Sequence, residues 1–304
     1  MCETELKSFM NSEGKFIYLL YDFVSDENRP LIIIPCQFER SMIDNIYISR
    51  YLINNGYNVL RYDNTNHVGI SEGEHIDHTP SSAYKDFHDV ISYVRDSNLK
   101  YSSIGVLGIS LATRILIKYF SENCCPDIKL FISLVGVINL GDTLERITGE
   151  DISGGNLNGK IYGIRKIIKY PINWDNYLSD ANKNQYMGLE KSIEEIHKIQ
   201  IPTILICSEN DDWVNINDYF KVFENDFNCI KEKFFISGAA HKLSKNPEAA
   251  ELALIQIIKS FNKYIKNDCV RDKDIYKPII TEIIAQNKKE RKMEMEILRK
   301  NIKN

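Results

Sequence analysis

The apolar positions of this chain fall first into a short alternation, Phe16-Ile17-Tyr18-Leu19-Leu20-Tyr21, the mark of an early antiparallel strand or hairpin. Asp26-Glu27-Asn28-Arg29-Pro30 makes a turn, and Leu31-Ile32-Ile33-Ile34 follows as a continuous apolar run. Such a run suits a strand buried on both faces. Ile46, Tyr47, Tyr51 and Leu52 then share one helical face, which Asn54-Asn55-Gly56 ends, since glycine suits the left-handed position after a helix. A second buried strand is predicted over 57–63. Pro80-Ser81-Ser82 precedes a helix with Tyr84, Phe87, Val90, Ile91 and Val94 at helical spacing. Further strands are predicted over 103–107, 129–137, 203–207 and 233–236, with helices over 111–120 and 247–261. Pro247 stands near the first turn of the last helix, where its missing N–H costs nothing.

Strands alternating with helices predict an α/β protein, with a mostly parallel central sheet and helices on both faces. The rhythm breaks over 139–199, which carries Gly154-Gly155, Gly159 and Trp174 but no buried strand. We read this interval as a cap inserted into a core formed by residues 1–138 and 200–304. The tail from Lys277 is charged with apolar residues interspersed, and is expected as a helix folded back on its own domain.

Composition narrows the function. Across 304 residues, 42 acidic side chains face 38 basic ones, which leaves no electrostatic footprint for nucleic acid. Seven cysteines in no metal-binding spacing read as free thiols, and no metal or cofactor is expected. The polar start and the absence of a long apolar stretch predict a cytoplasmic protein without a membrane span.

Chemistry concentrates in three places. Gly108-Ile109-Ser110-Leu111-Ala112 lies between a strand and a helix, the setting of a nucleophile turn, although the fifth position is Ala112 where glycine is usual. The strand at 203–207 runs into Ser208-Glu209-Asn210-Asp211-Asp212-Trp213-Val214, and the strand at 233–236 into Ser237-Gly238-Ala239-Ala240-His241. The order Ser, Asp, His is that of α/β-hydrolases. A serine hydroxyl attacks only when an imidazole takes its proton, and the imidazole needs a carboxylate behind it. Ser110, His241 and Asp211 are therefore the candidate triad, with Asp212 a solvated neighbour or helix cap. The candidate oxyanion donors are the N–H groups of Leu111 and of Phe38, on the loop after the first buried strand. Trp213, Trp174 and His67 are candidate substrate-lining residues. Lys160, Arg165, Lys166 and Lys169 form a local basic cluster, read first as a solvated face.

Several strings are more specific. They are Phe38-Glu39-Arg40-Ser41-Met42, the stretch from Arg61-Tyr62-Asp63 to His67-Val68-Gly69-Ile70-Ser71, and that from Gly136-Val137-Ile138-Asn139-Leu140 to Asp142-Thr143-Leu144-Glu145. With Asn210-Asp211-Asp212-Trp213-Val214 and His241, they make the chain resemble the acyl transferases of bacterial bioluminescence operons, thioesterases specific for myristoyl acyl carrier protein. The resemblance implies a triad on Ser110, Asp211 and His241. It also implies cleavage of long fatty acyl thioesters, on acyl carrier protein or coenzyme A, and supply of the acid to an aldehyde-forming reductase. The chain departs from that family at Gln37, where glycine is common, and through the cap after Glu145. A carboxylesterase of small esters and a non-catalytic acyl-holding subunit are the competing expectations.

Overall fold

The computed structural model describes residues 2–25, 27–152 and 161–277, together with Lys292, Glu296 and Leu298. The opening alternation forms a hairpin of β1 (Cys2–Met10) and β2 (Phe16–Val24), with Cys2 opposite Val24 and Met10 opposite Phe16. Then come β3 (Leu31–Ile34), α1 (Ile46–Asn54), β4 (Asn58–Tyr62), α2 (Pro80–Asp96), β5 (Ile104–Ile109), α3 (Leu111–Glu122) and β6 (Ile128–Leu134). After β6 the chain leaves the sheet. It builds α4 (Leu140–Thr148), the short strands β7 (Ile164–Lys166) and β8 (Pro171–Asn173), α5 (Trp174–Lys183) and α6 (Leu189–Lys198). It returns through β9 (Thr203–Ser208), α7 (Ile216–Glu224), β10 (Ile230–Ile236) and α8 (Pro247–Phe261).

The eight-stranded sheet runs β1-β2-β4-β3-β5-β6-β9-β10. β2 is antiparallel to β4, and every pair from β4 to β10 is parallel. The parallel strands β3 to β6 and β9 are buried almost throughout, which is why they read as unbroken apolar runs. One face packs on α2, α3 and the inserted helices, through Phe87, Val90, Leu116, Phe131 and Trp174. The other packs on α1 and α8, through Ile32, Leu52, Leu107, Ile257 and Phe261. This is the α/β-hydrolase fold.

β6 stops at Leu134, short of the predicted 137, because Val135 takes a left-handed φ of 43° and turns the chain out of the sheet. In the inserted segment α6 packs on α3 and α5 on α2, so this segment covers one flank of the sheet. The two-stranded hairpin β7–β8 within it went unforeseen, each strand being too short to show periodicity. Of the basic cluster, Lys160 lies outside the described residues; Arg165 pairs with Glu150 at 2.6 Å. Most of the expected C-terminal helix also lies outside them. Leu298 is buried against Leu20, Met42 and Ile43. Among the described residues no helix is long and apolar enough to cross a membrane.

Candidate functional site

β5 delivers the chain to Ser110, whose φ of 55° and ψ of −128° form a sharp turn before α3 begins at Leu111. Two close approaches explain the small residues nearby. A Cβ on Gly108 would sit 2.6 Å from Leu116 Cδ1, and one on Gly136 would sit 2.2 Å from Ser133 Oγ. The turn is held by neighbouring strands: the Ser110 N–H donates to the Leu134 carbonyl at 3.1 Å, and the Val137 N–H to the Ser110 carbonyl at 3.0 Å. The methyl group of Ala112 is accommodated without loss of the turn, buried beside a small internal cavity.

The structure brings Ser110, His241 and Asp211 together from three separate crossings of the sheet. Ser110 Oγ lies 2.8 Å from His241 Nε2. His241 Nδ1 lies 3.0 and 2.9 Å from the two carboxylate oxygens of Asp211. A ring nitrogen between two carboxylate oxygens carries the proton, which leaves Nε2 free to accept from the serine hydroxyl. Asp211 Oδ1 also accepts the N–H groups of Trp213 at 2.9 Å and Val214 at 2.8 Å, which fixes the carboxylate. Asp212 is exposed, and its carboxylate accepts the His241 backbone N–H at 3.2 Å. The Trp213 ring stacks on the imidazole, 4.5 Å between centroids, and so limits its rotation.

Ser110 and His241 lie in a cleft of about 730 Å³ that Phe38, Trp213, Lys169 and Tyr170 also line. The Leu111 N–H is the first of α3, one of those a helix leaves without an intrahelical partner. Phe38 stands in the turn closed by the Arg40 N–H donating to the Gln37 carbonyl at 3.0 Å. Among the described residues the Phe38 N–H has no hydrogen-bond partner. Gln37 departs from the expected glycine without disturbing the turn, because its side chain donates to Asn45 Oδ1 at 2.9 Å.

His67 sits beneath that turn. Its Nε2 accepts the Glu39 N–H at 3.1 Å, so Nδ1 carries the proton and faces Cys36 Sγ at 3.6 Å. Burial, then the neighbouring His75, lowers its pKa to about 3, so the ring is neutral. His67 anchors the turn and lines the cavity of about 20 Å³ behind Phe38 and Leu111. Asp63, at the end of β4, accepts the Met42 N–H at 2.6 Å and the Ile70 N–H at 2.9 Å. Burial, partly offset by those donors, raises its carboxyl to about 7. Trp174, read from sequence as a candidate lining residue, is fully buried and lines neither cavity. It stacks on Tyr177 at 5.4 Å and packs the interior of the cap. Among the described residues no cluster of side chains could hold a metal ion.

Sequence reasoning gave no role to Glu39, nor to His75 and His78, whose rings stand 6.0 and 5.9 Å from Phe38. Glu39 binds residues far off in the chain, and no local spacing announces that.

The family model described as acyl transferase matches residues 22–299. Curated relatives of the same name include one from Photobacterium leiognathi, 29% identical over 229 residues, covering 71% of this chain and 66% of that protein. Another, from Shewanella woodyi, is 26% identical and covers 93% of this chain and 92% of its own. Among solved structures, the esterase Est1E of Butyrivibrio proteoclasticus with bound ferulic acid superposes with a TM-score of 0.70. It is 17% identical, and the match covers 86% of this chain and 99% of that one. An esterase from Pyrococcus furiosus gives a TM-score of 0.62 at 17% identity, over 86% of this chain and 92% of its own. The chain belongs to the acyl transferase family and carries it on an α/β-hydrolase fold.

Proposed function

We propose that the protein cleaves long-chain fatty acyl thioesters, on acyl carrier protein or coenzyme A, through an acyl-enzyme on Ser110. The observation that carries this reading is the continuous hydrogen-bonded chain Ser110–His241–Asp211 opening into the large cleft. In the first step Ser110 Oγ attacks the acyl carbonyl while His241 Nε2 takes its proton. The Leu111 and Phe38 N–H groups hold the oxyanion, helped by the positive end of α3. The thiol leaves with the proton from His241. In the second step His241 deprotonates water or another acceptor, which releases the acyl group and restores Ser110. Asp211 remains ionised and stabilises the imidazolium in both steps.

The long-chain assignment is supported by the apolar part of the cleft, which includes Ile43, Ile46, Ile109, Leu134, Val135 and Leu243. The resemblance to luminescence acyl transferases supports a carrier-bound substrate and a reductase as the consumer of the acid. Trp213 is proposed as both a wall of this cleft and a brace for the imidazole.

The test is intact-mass measurement after incubation with acyl thioesters of graded chain length, beside short p-nitrophenyl esters. A mass increase equal to a long acyl group is expected on the wild type and not on Ser110→Ala. Turnover of Ser110→Ala is expected to fall by at least about 10⁴-fold. Faster turnover of short oxygen esters than of any long thioester would overturn the substrate assignment. Equal labelling of wild type and Ser110→Ala by a fluorophosphonate would overturn the enzyme.

A further inference from the structure

The turn that carries Phe38 is gripped from two sides, and Glu39 makes both contacts. On the sheet side its N–H donates to His67 Nε2. On the cap side its carboxylate accepts three successive N–H groups at the tip of the β7–β8 hairpin: Ile168 at 3.3 Å, Lys169 at 2.6 Å and Tyr170 at 3.2 Å. Consecutive amides converging on a carboxylate form an anion-binding concavity, and such charge-assisted bonds are among the stronger kind. Glu39 is 7% exposed and holds a left-handed φ of 54°, a conformation that a residue with a Cβ rarely adopts. The hairpin tip adds a ring contact, Tyr170 standing edge-on to His75 at 5.7 Å. Glu39, Phe38, Ile168, Lys169 and Tyr170 line the same cleft as Ser110.

We propose that Glu39 is a positioning residue whose carboxylate ties the cap hairpin to the oxyanion turn, so that the Phe38 donor is in place only while the hairpin is seated. The proposal rests on the serine acyl-enzyme reading above. An oxyanion donor works only within a fraction of an ångström of its place. Without the carboxylate, three hairpin amides lose their acceptor and turn to water, and the Phe38 turn keeps only its sheet-side anchor at His67. Because the hairpin tip is also a wall of the cleft, filling the cleft and setting the donor act on one turn.

Two variants separate this role from a general weakening of the fold. Glu39→Gln keeps the size but turns an NH2 group toward the amides. Glu39→Gly removes the side chain and sits without strain at the same positive φ. The readouts are kcat and KM for a short p-nitrophenyl ester, with active sites counted by the burst, and amide hydrogen exchange across residues 167–170. In both variants kcat per active site is expected to fall about tenfold with KM within about twofold of the wild type, part of the loss that removing an oxyanion donor brings. The amides of 168–170 are expected to exchange at least about tenfold faster, while Ser110→Ala leaves their exchange unchanged. Unaltered kcat with lost protection, or unaltered protection, would overturn the proposal. A wild type that never acylates would instead end the serine-enzyme reading, and the exchange data would still report whether the clamp exists.

Discussion

Ser110 stands in backbone geometry that favours glycine, and the neighbouring strands hold it there. Strain of this kind costs about 1–3 kcal/mol. Glycine relieves it, at the expense of about 0.5–1 kcal/mol of extra freedom in the unfolded chain. Ser110→Gly is therefore expected to be inactive and yet more stable than the wild type, by roughly 1 kcal/mol in urea unfolding. A variant as unstable as an ordinary loss of a buried side chain would show that the turn is not strained. A second residue-scale feature is the ring cluster of His67, His75 and His78 around Phe38, with centroids 4.5 to 5.8 Å apart. Burial is the leading cause that lowers their pKa values, to about 3 at His67, about 4 at His75 and well below the usual value at His78. The unfolded chain protonates these rings near pH 6.5. Below that pH it binds more protons than the native state, so the stability is complete above about pH 6.5 and is lost as the pH falls toward 4. Asp63 and Asp86, raised by burial to about 7 and about 6, act in the opposite direction. The effect is therefore read as a difference between variant and wild type. Both ring nitrogens of His75 lack a partner among the described residues. His75→Phe should keep the ring contacts and reduce the acid-side slope of stability by about one proton. Parallel pH curves for the two proteins would rule this out.

At the scale of elements, the decisive joint is between α3, which follows Ser110, and the inserted segment. Arg114 of α3 is fully buried and binds Glu195 of α6 at 2.6 Å. It also donates to the carbonyls of Tyr186 and Gln185, each at 2.8 Å, which closes the link between α5 and α6. Removing one partner of such a buried pair costs about 3–5 kcal/mol, chiefly because the other is left uncompensated. Lys118 stands 3.5 Å from the second Glu195 oxygen and softens the loss. Arg114→Met is expected to lower stability by roughly 3 kcal/mol, at the lower end of that range, with a larger loss of activity than of sheet content. A thermal midpoint unchanged from the wild type would contradict it. The strands could be read from the chain, and with them the candidates Ser110, Asp211 and His241, because each stands just past the C-terminal end of a strand: β5, β9 and β10. Glu39 could not, because its acceptor role spans 129 to 131 positions to the hairpin tip. Trp174 misled for the converse reason: size and polarity alone do not tell a cleft wall from a core filler.

Over the whole molecule, the sheet order explains why residues so distant in sequence meet. Parallel strands all present their C-terminal ends to the same edge, and the loops leaving β5, β9 and β10 rise there together. The segment between β6 and β9 reaches back over α2 and α3, with α6 packed on α3 and α5 on α2. Its hairpin touches the turn that carries Phe38 through Glu39, so under the proposed mechanism covering the sheet and completing the site are one arrangement.

β10 closes the sheet with β9 as its sole strand neighbour among the described residues, and its side chains alternate between half-buried and exposed until Ile236. The loop that leaves it carries His241, so the proposed proton acceptor hangs from an edge strand, where local unfolding starts. Mild denaturant should silence the enzyme while circular dichroism still reports an intact sheet, with the emission of Trp213, stacked on that ring, changing in step with the silence.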